Sequence, residues 1–268
     1  MNIFSTSATV VRTAAHAAAG RSFSDKRLAF YLAGLGILGP HRQQLRQKFL
    51  QRIDSQAVDG FVTVHVKHLG TPTRLVMRQG NIGDYLVGGE FVRGSYPAPP
   101  FVPEQIIDGG GNIGTFTVHA SRVAPKAEII SFEPDPDNLE VLAKNIELNG
   151  VNCRLEKKAM WPHGDRIQFE KGQADTGHVT ESGGELSIEC GMPEVRENCW
   201  LKLDIEGAEY EVLPVLLEKR LPRAISMELH HVQKHGRKLT DLLRSRGYHV
   251  TGDEDCSIDC FVIEARLA

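Results

Sequence analysis

The chain has 268 residues, 41% hydrophobic and 24% charged, a composition that belongs to ordinary globular proteins and excludes disorder along the whole length. A formal net charge of -3 supplies no basic surplus for neutralising phosphates, so a nucleic-acid partner is not expected. Five thinly spread cysteines without a C-x-x-C pair indicate neither a disulfide framework nor a zinc finger, and fit a reducing, cytoplasmic compartment.

Residues 1 to about 22 are rich in Ala, Ser and Thr and carry no firm period. The first basic residue is Arg12, and the longest apolar run, Leu28–Leu38, is about half the ~20 residues that span a bilayer, so neither a signal peptide nor a membrane span is expected. With Ser24 as N-cap, Asp25–Leu38 reads as an apolar helix stopped by Gly39-Pro40. Arg42, Arg46, Lys48 and Arg52 give a second helix a basic, solvated face. Phe61–Val66 alternates with strand period, Gly70-Thr71-Pro72 turns, and Arg74–Met77 returns, which predicts a β-hairpin. The expected organisation is a helical appendage (1–60), a hairpin and helix leading into the core (61–100), and a main domain (101–268).

Beyond Pro97-Ala98-Pro99-Pro100, short apolar runs alternate with amphipathic stretches, the pattern of a parallel α/β sheet. The runs are Gln105–Asp108, Glu128–Phe132, Cys153–Lys157, Trp200–Asp204 and Ala224–Glu228. Helices are expected at Ile113–Val123, Pro136–Leu148, Ala208–Lys219 and Lys234–Arg246. Tyr248–Thr251 and Asp259–Ala265 have no helix between them and should finish the sheet antiparallel. Phe169–Val195, rich in Gly, Ser and Glu, reads as an inserted hairpin or loop.

Ile106–Gly114 runs from an apolar strand into glycines and then a helix, the arrangement that lets a backbone approach a nucleotide-like ligand at the carboxyl edge of a sheet. Gly109, Gly111 and Gly114 satisfy G-x-G-x-x-G, a weak match on its own. Glu133, at the end of the next run and about 20 residues on, is placed for ribose hydroxyls. Asp108 separates two cofactor classes: a carboxylate there would crowd a pyrophosphate, whereas the amino group of S-adenosylmethionine needs acceptors. Asp204, Glu206 and Glu209 end the fourth run and fit cofactor binding, proton acceptance or helix capping. Glu228 and His230 share one side of the last parallel run, which makes His230 a general-base candidate. His231/His235 and Cys256/Cys260 sit at ligand-like spacing without a zinc motif around them, so no metal is expected.

Three segments, IIDGGGNIGTFT, SFEPDPDNLEVLAKNIELNG and LKLDIEGAEYEVL, resemble the FkbM family of S-adenosylmethionine-dependent methyltransferases, and RQGNIGDYLVGGEFVRGSYP is similar to the segment ahead of its glycine motif. The resemblance covers about Arg78 to Leu229. It implies a class I methyltransferase (Rossmann-like) fold with a seven-stranded sheet of order 3-2-1-4-5-7-6, and transfer to a hydroxyl of a small-molecule or glycan acceptor. Carried onto this chain, it implies Asp108, Gly109, Gly111 and Asn112 on the methionine side, Glu133 on the ribose, and Asp204 and Glu206 at the reaction centre. Gly110 departs from the alanine common in that family, and residues 1–60 match nothing in it. An NAD(P)-dependent oxidoreductase and a non-catalytic S-adenosylmethionine-binding protein are the alternative readings on this topology.

Overall fold

The computed structural model describes residues 22–35, 42–94, 96–170, 178–180, 184, 186–235, 237–252 and 260–267. The chain packs as two units: one holds the residues up to Ala98 together with Ile113–Val123 and Glu140–Val151, the other Pro99–Asn112, Ala124–Leu139 and the residues from Asn152 on. A break therefore falls near residue 100, but two later segments group with the N-terminal unit.

In the first unit, α1 (Phe23–Leu35) is capped by Ser22 rather than Ser24. The Asp25 N–H donates to Ser22 Oγ and the Ser22 N–H to Asp25 Oδ2, each at 3.0 Å, a reciprocal cap that fixes the start. Residues 36–38 of the expected helix, and the stop at Gly39-Pro40, lie outside the described residues. α2 (Gln43–Asp54) follows, and then β1 (Phe61–His68) and β2 (Thr71–Arg78) pair antiparallel from Phe61↔Arg78 to His68↔Thr71. Leu69 and Gly70 both take positive φ, the twist a two-residue hairpin turn requires. Alternation buries Val62, Val64 and Val66 against Leu32, Leu75, Met77 and Tyr85. α3 (Ile82–Arg93) is capped by Asn81, whose side chain accepts the Asp84 N–H, and ends at left-handed Gly94. Asp84 is buried and is held by Arg78 in a 2.6 Å ion pair. Asn145 and Asn149 lie four apart on α5 (Pro136–Leu148 and the turn beyond it), so they share a face. Asn145 takes the Val76 N–H at 2.7 Å and donates to the Val76 carbonyl at 3.0 Å; Asn149 does the same for Arg74, at 3.0 and 2.6 Å. Two side-chain amides thus pair with β2 as a neighbouring strand would.

In the second unit, seven strands form one sheet: β3 (Gln105–Gly109), β4 (Glu128–Phe132), β5 (Cys153–Glu156), β10 (Cys199–Leu203), β11 (Ala224–Leu229), β12 (His249–Thr251) and β13 (Phe261–Arg266). Their spatial order is β12-β13-β11-β10-β3-β4-β5, with β13 antiparallel to both neighbours and the remaining pairs parallel. β3 and β10 are buried along their full length, as central parallel strands are. Here α6 (Glu209–Lys219) and α8 (Lys238–Ser245) place Val212, Leu213, Leu216, Leu239 and Leu243 in one core with Ile107, Leu201, Leu203 and Ile225. The helix expected over Lys234–Arg246 is two pieces, α7 (Val232–His235) and α8. The expected insertion, Phe169–Val195, is part of a larger β element that starts ahead of it: β6 (Ala159–Met160), β7 (Arg166–Glu170), β8 (His178–Thr180) and β9 (Leu186–Gly191) form a four-stranded sheet of order β6-β9-β7-β8. Among the described residues, no helix is long and apolar enough to cross a membrane.

Candidate active site

The carboxyl ends of β3, β4 and β10 meet at one edge of the large sheet, where an open-ended cleft is lined by Gly110, Asn112, Glu133, Asn138, Asp204 and Glu206. Phe132, Met160, Phe169, Val179 and Ile205 give it apolar walls, and two of these, Phe169 and Val179, come from the insertion.

The glycine loop is shaped by backbone bonding. Gly110 and Gly111 both donate N–H to the Phe132 carbonyl, at 3.0 and 2.9 Å, and the Asp204 N–H donates to the Gly109 carbonyl at 3.1 Å. Gly110 and Asn112 take positive φ. Asn112 then donates its N–H to Glu133 Oε2 at 2.7 Å, while the Asp135 N–H donates to Oε1 at 2.8 Å. Burial pushes the Glu133 carboxyl up to about 7 despite these two donors, because the desolvation cost of its charge exceeds what they return. Oε1 also accepts from Asn138 Nδ2 at 3.5 Å, whereas Oε2 keeps a lone pair for a further donor.

Asp108 does not reach the cleft. It is fully buried, its Oδ1 lies 3.3 Å from Lys202 Nζ, and Ser131 Oγ donates to Oδ2 at 3.3 Å. The cause is register: Lys202 of β10 stands directly beside Asp108 of β3. The same ammonium donates to the Gly109 and Gly110 carbonyls at 3.2 and 2.6 Å, and lies 3.5 Å from Asp204. The carboxylate expected at the methionine side is therefore the counter-ion of a lysine that supports the glycine loop from below. Gly109 and Gly111 are buried and line no part of the cleft, and Gly114 opens α4 (Thr115–Val123). Lys202 escaped the sequence reading because its significance depends on which strand lies beside β3.

Asp204 and Glu206 are half-buried on the cleft wall. Glu206 holds a left-handed backbone (φ 55°) just ahead of Gly207 (φ 98°). His230 stands behind them, with Nε2 3.5 Å from Glu206 and Nδ1 3.1 Å from the wholly buried Glu209. Burial alone would lower the imidazole's pKa, but hydrogen bonds to Cys260 and Glu209 and the charges of Glu209 and Glu206 outweigh it and raise it to about 11. A ring held protonated accepts no proton near neutrality, and His230 is not part of the cleft lining. This differs from the base expected from its position on the strand. Asp204, Glu206 and His230 present ligand-type atoms within 4.8 Å of one another, but with His230 protonated the trio is an ion-paired cluster.

A model of the Methyltransferase FkbM domain matches residues 108–250. Methyltransferase sdnD from Sordaria araneosa is 26% identical over 202 residues, covering 59% of this chain and 76% of its own length. Methyltransferase 1 from Beauveria bassiana (strain ARSEF 2860) is 27% identical over 195 residues, 60% of this chain and 78% of its own. Hexuronic acid methyltransferase AglP from Haloferax volcanii is 33% identical over 116 residues, 40% of this chain and 47% of its own. The domain match spans more than half the chain and contains every residue of the glycine loop, Glu133 and the acidic turn: the protein belongs to the FkbM methyltransferase family.

Proposed function

We propose that the protein is an S-adenosylmethionine-dependent O-methyltransferase that acts on a hydroxyl of a sugar or secondary-metabolite acceptor. The observation that carries this reading is the set of three carboxylates on one cleft at the carboxyl edge, Glu133 beside the glycine loop with Asp204 and Glu206 on β10's turn. The residues present suit such a cofactor: a buried carboxylate with an open lone pair on Oε2 for a ribose hydroxyl, apolar walls for an aromatic base, and acidic groups for a ligand that is cationic at sulfur and nitrogen. When bound, S-adenosylmethionine supplies a methyl group already activated by the sulfonium.

Glu133 would hold the ribose, with Asn112 fixing the orientation of its carboxylate through the 2.7 Å bond. Phe132, Met160 and Ile205 exclude water from the space beside it. Asp204 or Glu206 accepts the acceptor hydroxyl's proton at a carboxylate oxygen as that hydroxyl becomes a nucleophile. His230 serves as the cationic partner of Glu206 rather than as the base. The sugar part of the reading draws on AglP, whose name gives a hexuronic acid as its own substrate class.

Calorimetric titration with S-adenosylmethionine, S-adenosylhomocysteine and NAD tests the cofactor. Both sulfur ligands should bind and NAD should not, and Glu133→Ala should weaken binding by about 10- to 100-fold, the worth of hydrogen bonds to a charged group. Saturable NAD binding alone would overturn the reading. Methyl transfer from labelled cofactor to a panel of uronic-acid glycosides and polyketide-type alcohols then decides between the two acceptor classes.

A further inference from the structure

Every group that presents a carboxylate to the cleft from β10 lies on the turn Asp204–Gly207, and that turn is not held by its own backbone preferences. Glu206 and Gly207 are left-handed, and so is His231 in the facing loop after β11 (φ 53°). The two loops interlock closely: a Cβ on Gly207 would lie 2.8 Å from His231 Cδ2. Non-glycine residues in this conformation persist only where the surroundings over-determine them. The Asp204 N–H bond to the Gly109 carbonyl and the Ala208 N–H bond to the Ile205 carbonyl hold the two ends of the turn, and one buried side chain ties its middle. Glu209, fully buried in the first turn of α6, accepts the Ile205 N–H on Oε1 at 2.9 Å, and the same oxygen faces His230 Nδ1 at 3.1 Å. His230 reaches from there to Glu206. Glu209 itself lines no part of the cleft.

We propose that Glu209, through the Ile205 N–H and His230, is the positioning residue that holds Asp204 and Glu206 in their reactive orientation. This rests on those two acids being the reactive groups of the cleft. Glu209 fixes the turn from behind, at Ile205, while its second partner ties the Glu206 carboxylate to β11. The groups that face His230 are Asp204, Glu206 and Glu209 from the β10 side, Glu228 beside it on β11, and the Cys260 thiol ahead of β13, which donates to Glu228 at 2.9 Å. Removal of the charge on Glu209 should therefore loosen the turn and change the imidazole's titration together.

The test uses the wild-type chain and the near-isosteric Glu209→Gln, both saturated with S-adenosylhomocysteine for the spectroscopic part. In wild type, the His230 ring signal by NMR should not titrate between about pH 5.5 and 8.5; in Glu209→Gln it should titrate within that window, and the Ile205 amide should lose hydrogen-exchange protection. In samples free of S-adenosylhomocysteine, methyl transfer from S-adenosylmethionine to a methyl glucuronide should fall at least about tenfold, while the separately titrated dissociation constant for S-adenosylhomocysteine stays within about threefold. Glu209→Asp, which keeps the charge, should recover part of the rate. If Glu209→Gln does not fold, His230→Gln carries the same test through turnover and the Ile205 amide. Unchanged turnover, or an unchanged His230 titration and Ile205 amide, overturns the proposal. Failure of the wild type to bind either sulfur ligand is a different result: it overturns the cofactor reading, while the histidine and amide signals of the unliganded protein still decide whether Glu209 holds the turn.

Discussion

Gly110 is the residue at which the carboxyl edge is least forgiving. Its backbone is left-handed (φ 79°), and a Cβ there would fall 1.8 Å from the Asp204 carbonyl oxygen. The family resembled by the sequence often carries alanine at this position, yet this chain has no room for one. Gly110→Ala should cost about 2–4 kcal/mol in urea unfolding, from strain plus displaced backbone, and should weaken S-adenosylhomocysteine binding. Glu133 makes a second residue-scale prediction. With its carboxyl near 7, the group is ionised above that pH and protonated below it. A ligand that needs the carboxylate as acceptor should bind progressively more weakly as pH falls through 7, and should release a proton when bound at neutrality. Titrations in two buffers of different ionisation enthalpy measure that release. The position of Glu133 was legible because it follows from strand-end placement two elements along the chain. The burial of Asp108 was not, because its neighbour Lys202 is more than ninety residues away and meets it only through the order of strands.

At the scale of elements, β3 and β10 are joined by an ion pair as well as by their ladder. Lys202→Met would leave the Asp108 carboxylate buried opposite an apolar chain and strip two carbonyls of their donor. The expected loss is about 3–5 kcal/mol, the cost of an uncompensated buried charge, read as a shift in the denaturant midpoint. A loss within experimental scatter would mean that Asp108 takes up a proton at little cost. Strands and helices of the large sheet were legible wherever local period decides them, as in the fully buried QIIDG and CWLKL runs. The sheet made by β6–β9 was not. β6 is two residues long and gains its status only by parallel pairing of Ala159 and Met160 with Cys190 and Gly191, about thirty residues on.

For the whole molecule, Glu133 and Glu264 both have carboxyls raised to about 7, each chiefly by burial. Between the ordinary value near 4.5 and 7, the folded chain retains protons that the unfolded chain has lost. Stability from these two groups therefore falls as pH rises across that window and is level above it. Glu264→Gln, which keeps an acceptor for the Ser226 hydroxyl, should raise the melting temperature at pH 8 and leave it nearly unchanged at pH 4.5. Equal melting shifts at both pH values would remove burial as the cause.

The two amides that clasp β2 have a consequence for the behaviour of many copies together. A hairpin of two strands has two unsatisfied margins, and such margins recruit strands from other molecules. Asn145 and Asn149 occupy the hydrogen-bonding groups of Arg74 and Val76 from a helix, where no further strand can be added. In concentrated solution, a chain without them would offer a template. The double variant Asn145→Ala/Asn149→Ala should scatter light with a steep dependence on concentration, whereas each wild-type amide keeps the molecule to itself.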